Sequence, residues 1–166
     1  MVFIMALAII ARSGSQLSFN YPRNIRFRCL KCALCCGDTT KKVRHVLLLK
    51  MEAERIAEAI GKPAEEFATK IEGHAPYTCE MRKTMREGKC IFLDDNRCTI
   101  YPLRPLICRF YPFELRITAN GKHEFLRARE CQGIGEGKTL TKNYFENLLQ
   151  QIMVLEKTHG RFRKNQ

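Results

Sequence analysis

"RCLKCALCCG", residues 28–37, places Cys29, Cys32, Cys35 and Cys36 within eight positions. Two-residue gaps between cysteines let successive thiolates turn toward one centre while backbone amides face the sulfurs, which is why such gaps recur in thiolate metal sites. The backbone form decides which sulfurs converge. On a regular helix, at about 100° per residue, Cys29, Cys32 and Cys36 share a face and Cys35 points away. In a looped turn, Cys29, Cys32 and Cys35 surround one centre. Both forms supply three local ligands and require a fourth from elsewhere, for which Cys90, Cys98, Cys108 and Cys131 are the candidates.

The rest of the composition favours metal over disulfides. Nine cysteines among 166 residues are too few for a disulfide miniprotein and more than ordinary usage. An odd number cannot all pair within the chain, and the adjacent Cys35 and Cys36 are awkward for two separate bridges. The length suits one globular domain with a modest core. Lys and Arg outnumber Asp and Glu by 29 to 17, a formal charge of +12. Such an excess fits nucleic acid or an acidic membrane. It also fits compensation, because eight thiolates holding two divalent ions would leave about four negative charges. Lys31, Lys41, Lys42, Arg97, Arg104 and Arg109 lie close in sequence to cysteines, where cations favour the thiolate. A solvated basic surface is the competing reading.

The opening "MVFIMALAII" is too short to span a bilayer and has no preceding positive charge. It admits three readings: a flexible or packed extension with Met5 as an alternative start, a signal or anchor, and a core strand. No later stretch has the length to cross a membrane.

Periodicity gives the coarse elements. "VRHVLLL" reads as a short strand or extended entry to a helix over 50–60, whose face carries Leu49, Ala53, Ile56, Ala57 and Ile60 and which Gly61 ends. "PAEEFATKI" reads as a second short helix begun by Pro63, with Glu65 and Glu66 near its positive end. "CIFLDDNRCTIY" reads as a hairpin turning at Asp94–Asn96, which puts Cys90 and Cys98 near facing strands. "FELRITANGKHEFL" reads as another hairpin with a primed turn at Asn120–Gly121. Between them, Pro102, Pro105 and Pro112 predict an extended backbone around Cys108. A last helix over 140–158 carries Phe145, Leu148, Leu149, Ile152 and Leu155 on a core-facing stripe and stops at Gly160.

Other candidate groups read as structural. Glu52, Glu54 and Glu58 fall on a wet helix face, and His45, His74, His123 and His159 are scattered without ligand spacing. Cys79 reads as a buried or spare thiol. Arg104 and Arg109 flank Cys108 and can donate to sulfur or bind an acidic partner; Tyr101, Phe110 and Tyr111 read as packing that also shields a centre. "GIGEGKT", residues 133–139, has one residue too few between glycines for a phosphate loop.

The opening run, "CIFLDDNRCTIYPLRPLICRFYPF" and Cys131 with its glycine-rich sequel occur in an order that resembles the CxxCxxCC family of zinc- or iron-chelating proteins over roughly residues 25–137. The resemblance implies metal-ligand roles for Cys29, Cys32, Cys35, Cys36, Cys90, Cys98, Cys108 and Cys131, and a flexible loop after Cys131. The family often has glycine between the second and third cysteines of the run. Ala33–Leu34 departs from that, so a positive-φ turn is not expected there.

The resulting expectation is a small, irregular, metal-stabilised α+β fold with short hairpins and a few helices. Its parts would be an apolar extension and connector over 1–24, a cysteine-cluster domain over 25–137, a C-terminal helix packed on that domain over 138–160 and a basic tail over 161–166. The cofactor is an iron-sulfur cluster, the first preference, or zinc or iron ions, since thiolate softness alone does not separate them. The missing x-x-x-Cys-Pro sequel weighs against a ferredoxin, and irregular later gaps weigh against a simple zinc finger. Function is then metal chelation with a structural, metal-handling or enzyme-accessory role. The alternatives are an iron-sulfur redox protein or metalloenzyme, and a zinc-stabilised nucleic-acid binder. A protein partner fits the first of these readings, nucleic acid is not favoured, and unpaired thiols point to the cytoplasm.

Overall fold

The computed structural model describes residues 18–162, with side chains for 18–152. The expectations for the apolar opening, for Leu155 and His159 and for the last tail residues lie outside the described residues or side chains. The elements are β1 (Phe19–Asn20), β2 (Arg26–Phe27), β3 (Leu47–Leu48), α1 (Lys50–Ile60), a 3₁₀ turn (Ala64–Glu66), β4 (Ala68–Lys70), β5 (Cys79–Met81), β6 (Leu93–Asp94) and β7 (Arg97–Cys98). A second 3₁₀ turn (Tyr101–Leu103), α2 (Leu106–Phe110), β8 (Phe113–Ile117), β9 (His123–Arg127), β10 (Ile134–Thr139) and α3 (Lys142–Phe162) follow. Among the described residues, small sheets and three helices make an α+β fold, as the sequence predicts.

The described residues form two compact units, one from residues 18–28 and 110–162, the other from residues 29–109. In the first, β8 and β9 form an antiparallel hairpin and β1 joins β9 in parallel. The alternation along β8 buries Phe113 and Leu115 and exposes Glu114 and Arg116. Phe145 of α3 meets Phe113 and Phe125 with ring centroids 5.0 Å apart in each case. Phe145, Leu148, Leu149 and Ile152 are all buried, so the stripe is core. The helix runs on through Gly160 to Phe162 rather than stopping at the glycine, which an α-helix tolerates at a cost of about 1 kcal/mol.

Two further expectations fail in this unit for local reasons. In the β8–β9 loop only Gly121 of the Asn120–Gly121 pair takes positive φ, at 75°. Its N–H donates to the Thr118 carbonyl at 2.9 Å, giving a three-residue loop with a left-handed closing residue instead of a primed turn. The glycine-rich sequel of Cys131 is strand β10, antiparallel to β2, not a flexible loop. A Cβ on Gly133 would strike the Arg28 carbonyl oxygen, and one on Gly137 would lie 2.9 Å from the Phe27 oxygen. The glycines serve close backbone approach.

In the second unit β3 and β4 flank β5, and β6 pairs with β7. Leu48, Ile56, Phe67, Ala68, Met81 and Ile100 form its core cluster. α1 starts as expected and ends at Gly61, φ 66°. "PAEEFATKI" gives one 3₁₀ turn and then β4, because Ala68 pairs with Met81 and is buried beside Phe67. Tertiary pairing overrides helix propensity there. The proline-rich stretch is also not extended. Pro105 precedes α2 and its carbonyl accepts from Cys108 N–H at 2.9 Å and Arg109 N–H at 3.0 Å, so a proline at a helix start seeds the turn that carries Cys108.

Candidate metal centre

Eight of the nine cysteines lie in the second unit and Cys131 in the first. All nine are free thiols. Three connections gather the distant ones. First, the chain leaving the cysteine run lies antiparallel beside residues 88–90: Cys90 N–H donates to the Cys36 carbonyl at 2.7 Å and Asp38 N–H to the Gly88 carbonyl at 3.0 Å. Lys83 Nζ locks this contact through the Asp38 carboxylate at 2.8 Å. That hydrogen bond, followed by one from the Arg44 N–H, holds the Asp38 carboxyl below its usual pKa. Second, the β6–β7 hairpin turns through Asp95 (φ 41°) and Asn96 (φ 56°), the two positive-φ residues of a type I′ turn, and sets Cys98 opposite Leu93. Third, the 3₁₀ turn and α2 carry the chain from Cys98 to Cys108.

Glu52, expected on a wet helix face, holds the third connection. Glu52 is only 2% exposed, whereas Glu54 and Glu58 are exposed. Its Oε1 accepts the Leu106 N–H at 2.6 Å and its Oε2 the Leu49 N–H at 3.1 Å. One carboxylate thereby ties the start of α1 to the start of α2, two residues before Cys108. Burial pushes its pKa up, against the lowering effect of those two hydrogen bonds and of Arg109 and Arg55. Arg55 adds a bond to the Leu103 carbonyl at 3.2 Å. The sequence signal was present: position 52 lies next to Ala53 and four before Ile56, on the margin of the apolar stripe.

The arginines beside Cys108 also serve the backbone. Arg109 Nε donates to the Arg104 carbonyl at 2.7 Å and Arg104 Nε to the Tyr101 carbonyl at 3.0 Å. The Arg104 guanidinium stacks 3.5 Å above the Tyr101 ring, and its charge eases ionisation of Cys98 and Cys108. Phe110 is fully buried packing.

The thiols form one electrostatic neighbourhood. Cys35 and Cys36 sulfurs are 3.7 Å apart, and the hydrogen bond between them, in which the Cys35 proton is held, then burial, lifts the Cys35 pKa far above a free thiol's. Burial, then the proximity of Cys90, Cys35 and Cys98, lifts that of Cys108 likewise. Cys90 is raised by burial and also by Cys98 and Cys35; Cys98 is raised by burial and by Cys35 and Cys29. Cys90, Cys98 and Cys108 are thus each raised by neighbouring thiols, Cys35 among them in every case. Among the described residues, however, no three Cys, His, Asp or Glu side chains already close into a coordination shell. Cys32 is exposed, as is Cys29. Cys79 packs against the Leu48–Ile56 core from β5, and Cys131 sits on the turn before β10, where its carbonyl accepts from Ile134 N–H at 3.3 Å.

The run itself is a loop, not a helix. Lys31 and Ala33 take positive φ, 55° and 59°, and Cys36 N–H closes a turn onto the Ala33 carbonyl at 2.9 Å. The left-handed turn is thus present despite the lack of glycine, contrary to expectation. It costs about 1–2 kcal/mol at a residue with a Cβ, offset by the contacts of Cys36 and Gly37 with residues 89–90. Of the histidines, His45 Nδ1 contacts Glu80 at 2.7 Å, while His123 is buried and its pKa is lowered by that burial.

The family described as "CxxCxxCC: Putative zinc- or iron-chelating domain" matches residues 28–134. The chain is similar to the uncharacterised protein MJ0661 of Methanocaldococcus jannaschii, 32% identical over 76% of this chain and 68% of that one. It is also similar to the uncharacterised protein MJ0939 of the same organism, 25% identical over 72% of this chain and 41% of that one. No solved structure matches. No helix among the described residues is long and apolar enough to cross a membrane.

Proposed function

The chain belongs to the CxxCxxCC family, and from that premise we propose that it binds zinc or iron through cysteine thiolates of the second unit, the iron as ions or as an iron-sulfur cluster. The observation that carries this reading is that Cys90, Cys98 and Cys108, from three separate segments, are each raised in pKa by burial and then by nearby thiols that include Cys35 of the opening run. A desolvated environment that crowds thiols makes each proton hard to remove alone, and the lowering effect of Arg104 does not outweigh burial. A thiophilic cation supplies the missing positive charge, displaces the protons and stabilises the thiolates together.

The inner ligands would be Cys35, Cys90, Cys98 and Cys108, with Cys36 adjacent. Cys29 and Cys32 lie exposed on the strained loop and would close over the metal, with Cys131 a further ligand by the family resemblance. Inner thiols desolvated and outer ones open to water suit a centre that takes up and gives back metal, so metal handling is the role this arrangement favours. Reduced thiols of this kind fit a reducing compartment. Purification without oxygen, followed by metal and sulfide analysis and a visible spectrum, tests the proposal. Brown protein with sulfide assigns a cluster, and colourless protein with stoichiometric zinc assigns zinc. Metal-free protein that binds neither ion when reduced rejects the reading.

A further inference from the structure

Three short segments of the second unit run side by side. Residues 36–38 lie antiparallel to residues 88–90, held by the Cys90 N–H on the Cys36 carbonyl at 2.7 Å and the Asp38 N–H on the Gly88 carbonyl at 3.0 Å. On the other side, residues 82–84 lie antiparallel to residues 89–91, held by the Thr84 N–H on the Lys89 carbonyl at 2.7 Å and the Ile91 N–H on the Arg82 carbonyl at 3.1 Å. Both outer segments oppose the middle one, so they run parallel to each other. The turns that follow them, 39–42 and 85–87, therefore leave the same end of the ladder. Asp38 fastens that end, accepting the Arg44 N–H at 2.8 Å and Lys83 Nζ at 2.8 Å.

Lys41, Lys42, Val43, Met85 and Arg86 are all exposed there, Met85 fully and Val43 at 58%. Apolar side chains exposed singly are ordinary. These two share one end of a ladder, and the charge around them has one sign. Residues 36–44 and 82–91 hold seven Lys and Arg against two Asp and Glu, an excess of five. Both acids already have partners: Asp38 pairs with Lys83 at 2.8 Å and Glu87 with Lys89 at 3.0 Å. Positive charge and two solvated apolar side chains thus stand together.

We propose that this end docks on the surface of an anionic lipid bilayer, with Val43 and Met85 entering the headgroup region and Lys41, Lys42 and Arg86 lying against the lipid anions. Peripheral binding of this kind grows with the apolar area buried and with attraction to anionic lipid, about fivefold for each base held at the surface. The outer segments are two strand spacings apart, about 10 Å, so the turns form a rim and not a pocket. A rim suits a yielding surface. A protein partner calls for about 800 Å2 on each side around a continuous apolar centre. A single strand of nucleic acid calls for aromatic stacking platforms, and neither turn has an aromatic residue. Docking uses none of the thiols and does not rest on the metal reading.

Cosedimentation of the reduced full chain with lipid vesicles at about 0.1 M salt tests it, using phosphatidylcholine alone and an equal mixture of phosphatidylcholine and phosphatidylserine. Tighter binding to the mixed vesicles is expected. The K41Q/K42Q/R86Q variant should weaken that binding by roughly tenfold or more. V43S/M85S should weaken it by about fivefold or more while leaving the binding of a single-stranded oligonucleotide unchanged, because only a bilayer takes up the apolar side chains. Lys122→Gln, an exposed base of the first unit, should bind like wild type. All comparisons are between full-length chains, so any contribution from residues outside the two turns is common to them, and equal melting temperatures establish that the variants fold. The proposal is overturned if wild type does not prefer the mixed vesicles, or if either multiple variant binds them like wild type. It is equally overturned if the oligonucleotide stays bound through the same three bases at salt that releases the vesicles, which would make this a nucleic-acid surface.

Discussion

Replacing Glu52 separates the work of a buried carboxylate from that of a surface one. Glu52→Ala removes the acceptors of the Leu106 and Leu49 N–H groups, 2.6 and 3.1 Å from the carboxylate, both buried. Each orphaned donor costs about 1–3 kcal/mol, and the end of a buried charge returns part of that, leaving a net loss of about 3 kcal/mol. At about 4–8 °C per kcal/mol for a unit of this size, the melting temperature falls by roughly 12–24 °C. Glu52→Gln keeps one acceptor and removes the charge, so it stays within about 1 kcal/mol of wild type at neutral pH. Its pH dependence carries the sign. Burial raises the folded pKa above the unfolded value of 4.5, so the contribution is complete below the unfolded pKa and is lost as pH rises through the folded one. Wild type should therefore gain on the Gln variant as pH falls from 7. Thermal unfolding of the three metal-free proteins between pH 4 and 8, a range set roughly by carboxyl titration, reads both effects. An Ala variant that melts with wild type, or a Gln variant as damaged as the Ala one with no pH-dependent difference, refutes the reasoning.

Other perturbations probe the thiols and their loop. Cys108→Ser should lose bound metal and Cys79→Ser, on β5, should keep it; metal analysis after gel filtration distinguishes them. Ala33→Gly relieves a left-handed residue at about 1–2 kcal/mol and adds about 0.5–1 kcal/mol of chain entropy, so the protein gains up to roughly 1 kcal/mol. Ala33→Val, β-branched at the same φ, should lose stability, and urea midpoints for the two variants should move in opposite directions. Because Cys35, Cys90, Cys98 and Cys108 all hold their protons more firmly than free thiols, metal affinity should fall steadily as pH is lowered. A competition titration against a chelator between about pH 6 and 8 measures this; a flat profile would point to non-thiolate ligands.

The sequence made α1, the Asp95–Asn96 hairpin and the core stripe of α3 legible because each depends on local pattern: an i, i+4 face, a turn pair with tolerance for positive φ, four buried apolar positions. It misread elements whose form is decided by distant partners. Ala68 becomes strand because Met81 lies opposite, and the segment around Cys108 becomes helical because Glu52 caps it from α1. Ala33 takes glycine's conformation because its neighbours pair with residues 88–90. Spacing singled out the cysteines, but not that Cys90, Cys98 and Cys108 are each raised by Cys35 or that Cys29 and Cys32 stay exposed.

X-ray absorption at the metal edge of reduced, metal-loaded protein asks most directly whether distant thiols share one ion or cluster. A first shell of sulfur alone at about 2.3 Å is expected, reduced in Cys108→Ser and unchanged in Cys79→Ser. A shell of oxygen and nitrogen, or a sulfur shell indifferent to Cys108, would contradict it.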